Sequence, residues 1–499
     1  MTSDSASRPV WPAPAWPFLP FAVALAVALV AGAVRYTLFP GYFDHGEVSL
    51  AIRGWQLAHG QPIYRDPSDP QFLLTLYGPT IYGWSALWSK IAGGIAGSKL
   101  PGAVAGVAAA LVFALHLWRS LGAKAVAPGV ALLLALVLMA DKKGYWVRPD
   151  PASLLLVATG LAVAAGLARD RRWWPAPLAL GVVVGLAADV KIHHALFFVP
   201  LAFAFLDRRR WLAWLLAAAA AAVVAGSLFL LPWFPPEVYA AILKKAAGGH
   251  AVEPMLLLRQ ANRLVYFFIP VLLLPLAWRR LPGNERAYGL AYAACAAAAI
   301  YPASVSGSGW YQMLPLLPLT ADLTLRAARV LPGRLATAAM MVPLLAAVGF
   351  AWPAQRQVHK FMAESAWTRD AAAEIGEIMA RHPGASVEMG FGADIVKTYE
   401  TSFLRVVPVF AGNPATLDGW SEMEAVYLGM KAPAAKVSRI ETCATDLWLI
   451  PAGEAPFAMN AYFSENGQFL APYATAFEQS YELAEQGRFY DVWRCRGRR

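Results

Sequence analysis

Residues 18–47 read FLPFAVALAVALVAGAVRYTLFPGYFDHGE. The first part, 18–34, carries no charge. Runs of about 20 such residues cross the ~30 Å hydrocarbon core of a bilayer. The last part puts Asp44, His45 and Glu47 into the loop that leaves the run. A single run of this kind would anchor a soluble protein. Here similar runs recur as far as residue 352, so the acids open the first loop of a chain that crosses the membrane many times.

Composition agrees. The 499 residues are 58% hydrophobic and 15% charged, too apolar for a soluble chain of this length. After Trp352 the text becomes mixed and charged, as in HKFMAESAWTRDAAAEIGEIMARHPGASVEMGFGADIVKTYE (359–400). The expected architecture is therefore an α-helical polytopic membrane domain, residues 1–352, followed by a small soluble α/β domain, residues 353–499. In the latter, SVEMGF, LRVVPVF and DLWLIPA read as strands and AWTRDAAAEIGEIMARH as a helix. The net charge of +10 belongs to cytoplasmic loops rather than to nucleic-acid binding. The first run follows a polar, Pro-rich tail and has spanning length, which makes it an anchor rather than a cleaved signal.

About eleven spans are expected, near 16–34, 101–118, 124–140, 150–168, 174–189, 192–206, 211–231, 261–279, 287–303, 311–325 and 335–352. Basic clusters follow the even-numbered ones: Arg119 and Lys124, then Arg169, Arg171 and Arg172, then Arg208, Arg209 and Arg210, then Arg279, Arg280 and Arg286, then Arg326, Arg329 and Arg334. All fall on one side, which the positive-inside rule makes cytoplasmic. Residues 77–94, with Lys90 and the aromatics Tyr77, Tyr82, Trp84 and Trp88, read as an interfacial helix rather than a crossing. The first loop, DKKGYWVRPDP (141–151), DVKIHH (189–194), residues 232–263, SVSGSGWYQ (304–312) and the C-terminal domain then face outward. Cys443 and Cys495 lie in that outward domain and are expected to pair.

Several outward residues suggest chemistry. Asp44 followed by Glu47 has the spacing of a capping box before an amphipathic helix. Asp44 also suits a general base, because a carboxylate beside an apolar slab titrates high. The two roles are compatible. Asp150, in WVRPDP, is either a helix-terminal acid or a functional one, and Arg148 beside it can pair with it or hold a phosphate. Lys191 is an interfacial cation that either snorkels or meets a lipid phosphate. His193 and His194 lack an i, i+4 partner for a metal. Arg259 and Arg263, at i, i+4 and against the charge trend, suggest a bound anion or lipid headgroups. No CxxC pair or Cys/His metal cluster occurs, and no GxxxxGK[ST] loop supports ATP-driven work.

The order of these elements resembles the GT-C superfamily of integral-membrane glycosyltransferases. The likeness is to the family 39, protein-mannosyltransferase-like branch and to bacterial lipid-A-sugar transferases. An acid follows the first span, then GQPIYRDP with Tyr64, then YGPTIYGWSAL, then RPDP as the second acidic element, then WYQMLPLLPL as the late tyrosine span. The likeness covers residues 16–330. It implies transfer of a sugar from a polyprenyl-phosphate donor to a glycan, lipid or protein acceptor at the outer face of a bacterial inner membrane. Asp44 would be the base, and Glu47 and Asp150 further catalytic acids. Arg148, Lys191, His193, His194, Arg259, Arg263, Trp310, Tyr311 and Tyr64 would line the substrates, and no cofactor or metal would be required. Two departures stand out. The usual adjacent Asp-Glu is split by His45-Gly46, and Trp310 stands where a basic residue is common. The alternative is a lipid-linked-sugar transporter, or a ligase or polymerase of the O-antigen type. A transporter is expected to carry mid-membrane charge and repeats, and neither is seen in the sequence.

Overall fold

A computed structural model describes residues 14–167, 172–206, 211–249, 252–305, 308–394, 400–460 and 470–497. Arg169, Arg171 and Arg208–Arg210, used above for orientation, lie outside the described residues, as do 250–251 and 306–307 of two outward loops. Among the described residues, all eleven apolar runs are helical over most of their length. Among the described residues, six helical stretches are long and apolar enough to cross a membrane: Trp16–Leu38, Gly94–Leu121, Pro149–Leu167, Trp211–Leu230, Ala261–Arg280 and the stretch that starts at Gly333. Ala123–Met139, Pro175–Val190 and Ile192–Phe205 are shorter apolar helices. Helix starts follow local chemistry, with Pro at the first turn of Pro79–Ala92, Pro175–Val190 and Pro254–Leu264, where its missing N–H has no partner to lose. Pro79–Ala92 has 14 residues, about 21 Å of helix, less than a bilayer core.

The residues divide into two compact units that do not follow chain order. One takes in the described residues of Met1–Tyr36, Gly102–Leu228 and Ala251–His359, and the other those of Thr37–Pro101, Phe229–His250 and Lys360–Arg499. The composition break at residue 352 is thus not the boundary of these contacts.

In the first unit, the helix Leu317–Arg329 is buried at every position from Leu317 to Ala328. Most of its polar groups are held by protein. Thr320 meets the Tyr292 hydroxyl at 2.6 Å, and Thr324 donates to the Thr320 carbonyl at 2.6 Å. Asp322 accepts from Arg326 at 2.7 Å and lies 3.0 Å from His116 Nε2. Arg326 and Arg329 both donate to Glu285, at 2.8 and 2.5 Å. This corrects the expectation of spans almost free of internal charge. The set joins two acids to two arginines across neighbouring helices.

Close helix contacts in this unit rest on small residues. A Cβ on Gly181 would come 2.3 Å from the Ala217 carbonyl oxygen, and one on Gly185 would come 2.7 Å from that of Ala221. The helices Pro175–Val190 and Trp211–Ser227 therefore meet backbone to backbone, as small-xxx-small helices do in membranes. Gly102 faces the Trp146 carbonyl oxygen just as closely, with its Cβ position 1.8 Å away.

In the second unit the helices His45–Ala58 and Pro79–Ala92 pack where Gly54 faces Ser85. A four-stranded mixed sheet has β1 (Val387–Met389), β2 (Leu447–Pro451), β3 (Tyr481–Glu485) and β4 (Tyr490–Cys495) in the order β1-β2-β4-β3. β1 runs parallel to β2, and the other pairs are antiparallel. The expected helix appears as Thr368–Arg381, whose Ala371, Ile375 and Ile378 cover Val387, Leu449 and Val492. Trp448, Phe477 and Tyr481 belong to a second core cluster. LRVVPVF is not a strand. It forms the short turns Phe403–Arg405 and Val406–Phe410, because a short apolar run buried on all sides suits a helix as well as a strand. Cys443 and Cys495 form the expected disulfide, with Cα atoms 5.8 Å apart.

Asp322→Ala leaves Arg326 buried with half its ion pairs, so it should cost about 3–5 kcal/mol. Melting in detergent should then drop far more than for Arg494→Ala, which breaks an exposed pair. Equal melting temperatures would show that the tie contributes nothing.

Candidate functional site

The first unit gathers most of the expected binding residues around one short segment, the 3₁₀ turn Trp310–Leu316. Its first three residues each hold a cation. The Trp310 ring lies 5.4 Å from the Arg263 guanidinium. The Tyr311 ring lies 5.6 Å from that of Arg148, which also stands 4.8 Å over Trp146. Gln312 Oε1 accepts from the Lys191 ammonium at 3.1 Å. Trp310 thus occupies the position where a basic residue was expected and presents a π-face to Arg263, a favourable arrangement for a cation.

Asp150 sits in the first turn of Pro149–Leu167 and is buried. Its Oδ2 accepts the Trp146 indole N–H at 3.1 Å, and its Oδ1 faces Lys191 at 3.9 Å. Burial pushes the Lys191 ammonium down to about 8, against the pull of Asp150 and with the help of Arg148. His193 and His194 stand edge to face with centroids 4.6 Å apart, and His194 Nδ1 is 2.6 Å from Ser153 Oγ. Arg259 is exposed on the same helix as Arg263 and makes no hydrogen bond or ion pair among the described residues. No three potential metal ligands converge among the described residues.

The second unit holds Asp44, Glu47 and Tyr64. Asp44 caps the helix His45–Ala58 in a full capping box. Asp44 Oδ1 accepts from the Glu47 N–H at 3.1 Å, and Glu47 Oε2 accepts from the N–H groups of Phe43 and Asp44 at 2.6 and 3.2 Å. The loop before it is fixed by the N-terminal end of Gly94–Leu121. Buried Lys99 donates to the carbonyls of Phe39, at 2.5 Å, and Gly41, while Ser98 meets the Tyr42 hydroxyl at 2.6 Å. Tyr64 is buried against Tyr239, with centroids 4.9 Å apart, and its hydroxyl donates to the Tyr77 carbonyl at 2.7 Å.

The C-terminal segment reaches this acidic loop. Asp418 caps the helix Gly419–Tyr427. Its Oδ2 also accepts from Ser49 Oγ at 2.5 Å and from Arg405 at 2.7 Å, and Arg405 donates to Ser49 at 3.1 Å. The Leu74 N–H donates to Ser421, and Trp420 stacks on His45 with centroids 5.8 Å apart. Burial pushes the Asp418 carboxyl up, but Arg405 and the hydrogen bonds from Ser49, Arg405 and Ser421 together hold it below its ordinary value. Gln312, Trp146, Lys99, Ser49, Arg405 and Asp418 were not singled out from the sequence. Gln312 lay inside the WYQMLPLLPL element, Trp146 inside WVRPDP and Arg405 inside LRVVPVF, while Lys99, Ser49 and Asp418 carry no local signal.

Two solved structures of ArnT from Cupriavidus metallidurans share this fold, one bound to undecaprenyl phosphate and one in the apo state. They are 14% and 13% identical to this chain, with TM-scores of 0.58 and 0.56, and each match covers 94% of this chain and 97% of that one. No protein-family model and no curated protein matches. The chain therefore shares the fold of these two structures over nearly its whole length, an apolar helical domain with a C-terminal domain, as its sequence led us to expect.

Ser49→Ala removes one hydrogen bond to a buried charge, which is worth about 1.5–3 kcal/mol. Amides of His45–Ala58 should exchange roughly 10–100-fold faster, and exchange mass spectrometry unchanged from wild type would show that the Asp418 tie does not hold this helix.

Proposed function

We propose that the protein transfers a sugar from a polyprenyl-phosphate donor to an acceptor at the outer face of the membrane. The observation that carries this reading is the end-to-end likeness of fold to ArnT, a protein solved with undecaprenyl phosphate bound. The cations held by Trp310, Tyr311 and Gln312 support it. Arg263, Arg148 and Lys191 supply the fork-like and point-like donors that a phosphate monoester or diester takes. Asp44 is the proposed base, rigidly placed by its own capping box. The disulfide supports an oxidising, extracytoplasmic setting for the C-terminal domain.

The proposed chemistry is a displacement at the anomeric carbon. Asp44 takes the proton of the acceptor hydroxyl as its oxygen attacks. The sugar–phosphate bond breaks, and the polyprenyl phosphate leaves with its negative charge. Attack from the face opposite the phosphate inverts the configuration. Glu47, whose Oε2 already accepts two backbone N–H groups, acts mainly to fix Asp44.

Asp44→Asn keeps the shape and most of the capping ability, but it should lower transfer by about 10²–10⁴-fold with a normal melt, because a general base is lost. A normal melt with near wild-type transfer would reduce Asp44 to a cap.

Burial pushes the Lys191 ammonium down to about 8, so it is almost fully charged well below that pH and progressively neutral above it. The apparent KM for the donor should therefore rise as pH passes about 8. Lys191→Arg, which stays charged, should move that limb to higher pH. A limb that stays in place in the arginine variant would exclude Lys191 as the phosphate contact.

A further inference from the structure

The first unit contains a second feature shaped for a lipid. A groove of about 400 Å³ runs beside the long helix Gly333–Glu364, with Leu25 of the first helix and Leu138 on its other walls. On the long helix its lining steps through Val348, Trp352, Gln355, Arg356 and His359, which lie on one helical face. The exposed wall of the groove is almost wholly apolar, and along it the residue type changes from Val348 and Trp352 to Gln355, Arg356 and His359. Polarity thus changes once along about 16 Å of helix, in the same sense as along a lipid molecule.

The polar end is cationic and open. Arg356 and Arg35 are exposed, and neither makes a hydrogen bond or ion pair among the described residues. On the first helix Arg35 lies seven residues beyond Ala28, a lining residue, and so on the same helical face and toward the end where it acts on the charge of His359. Nδ1 of His359 is buried without a hydrogen-bond partner among the described residues. Gln355, by contrast, is engaged. Its amide nitrogen donates to the carbonyls of Leu138 and Asp141 at 2.8 and 2.9 Å, and its oxygen accepts from the Tyr145 hydroxyl at 3.1 Å. It closes the wall and leaves the recognition to its neighbours.

We propose that this groove holds one glycerophospholipid with an anionic head group. An acyl chain lies along Val348 and Trp352, and the phosphate sits between Arg35, Arg356 and Nδ1 of His359. Two arginines match an anion better than a zwitterion, because the choline of a zwitterionic head would meet the same positive field. The length of the groove is about half of a ~30 Å hydrocarbon core, which suits a chain confined to one leaflet rather than a long polyprenyl. None of the proposed donor contacts, Arg148, Lys191 or Arg263, lines it. The site is therefore additional to the transfer site and does not depend on the transfer reading.

The test is native mass spectrometry of the full chain released from nanodiscs of phosphatidylglycerol, phosphatidylcholine, or phosphatidylglycerol doped with undecaprenyl phosphate. Wild type should keep one phosphatidylglycerol and little phosphatidylcholine. Arg356→Gln and Arg35→Gln should each lower that occupancy by about fivefold. Val348→Trp, which fills the apolar part and leaves the cations in place, should also lower it. Equal retention of the two phospholipids, or occupancy unchanged in both arginine variants, would overturn the proposal. Displacement of the retained phosphatidylglycerol by undecaprenyl phosphate would overturn it too, by assigning the groove to the donor. Sugar transfer is not part of the readout, so failure of the transfer reading would leave this result interpretable.

Discussion

A helix buried on every side inside a membrane domain meets neither water nor lipid, so each of its polar atoms must find a partner in protein. Leu317–Arg329 is such a helix, and much of the first unit follows from satisfying it. Its far end draws His116 and Glu285 out of neighbouring helices to balance Asp322, Arg326 and Arg329. At its near end the chain narrows to the turn Trp310–Leu316, where the backbone presents an indole, a phenol and an amide to three cations. One element thus serves as a core strut at one end and holds three cations at the other. The same rigidity that the buried charges impose lets Trp310, Tyr311 and Gln312 hold their partners in fixed places.

The second unit applies the same logic. The first loop does not hang from the membrane helix alone. Lys99 and Ser98 hold its start, its own capping box holds the acid, and Asp418 with Arg405 holds the helix that follows. That accounts for a C-terminal domain whose task was obscure from sequence. It is folded together with the loop that carries Asp44, although more than 300 residues separate them in the chain.

What could be read from the sequence was what is local. The eleven helical runs follow from hydropathy, and the Asp44–Glu47 box from a spacing of three. The pairing of Cys443 with Cys495 followed from compartment alone. What could not be read depends on partners distant in the chain. Asp322 looked incidental inside an apolar run because Glu285 and His116 lie tens to hundreds of residues away. LRVVPVF looked like a strand because its neighbours, not its own residues, decide between strand and helix. The Gly181–Gly185 spacing was visible, but its meaning required Ala217 and Ala221 opposite. Among the site residues, Asp150 and Lys191 were legible as polar groups at span ends, whereas Gln312 gained importance only once Lys191 was seen against it.

The close approach of Gly102 to Trp146 has a consequence for how this protein can vary. The Trp146 indole donates to Asp150, so the position of that carboxylate is set partly by a carbonyl that leaves no room for a methyl on the neighbouring helix. A residue with no functional group, on an otherwise featureless membrane helix, thereby acts as a spacer for the charge pattern of the site. Drift in the apolar helices is not neutral with respect to chemistry here: the catalogue of positions that tune the site extends to places where nothing but hydrogen is tolerated.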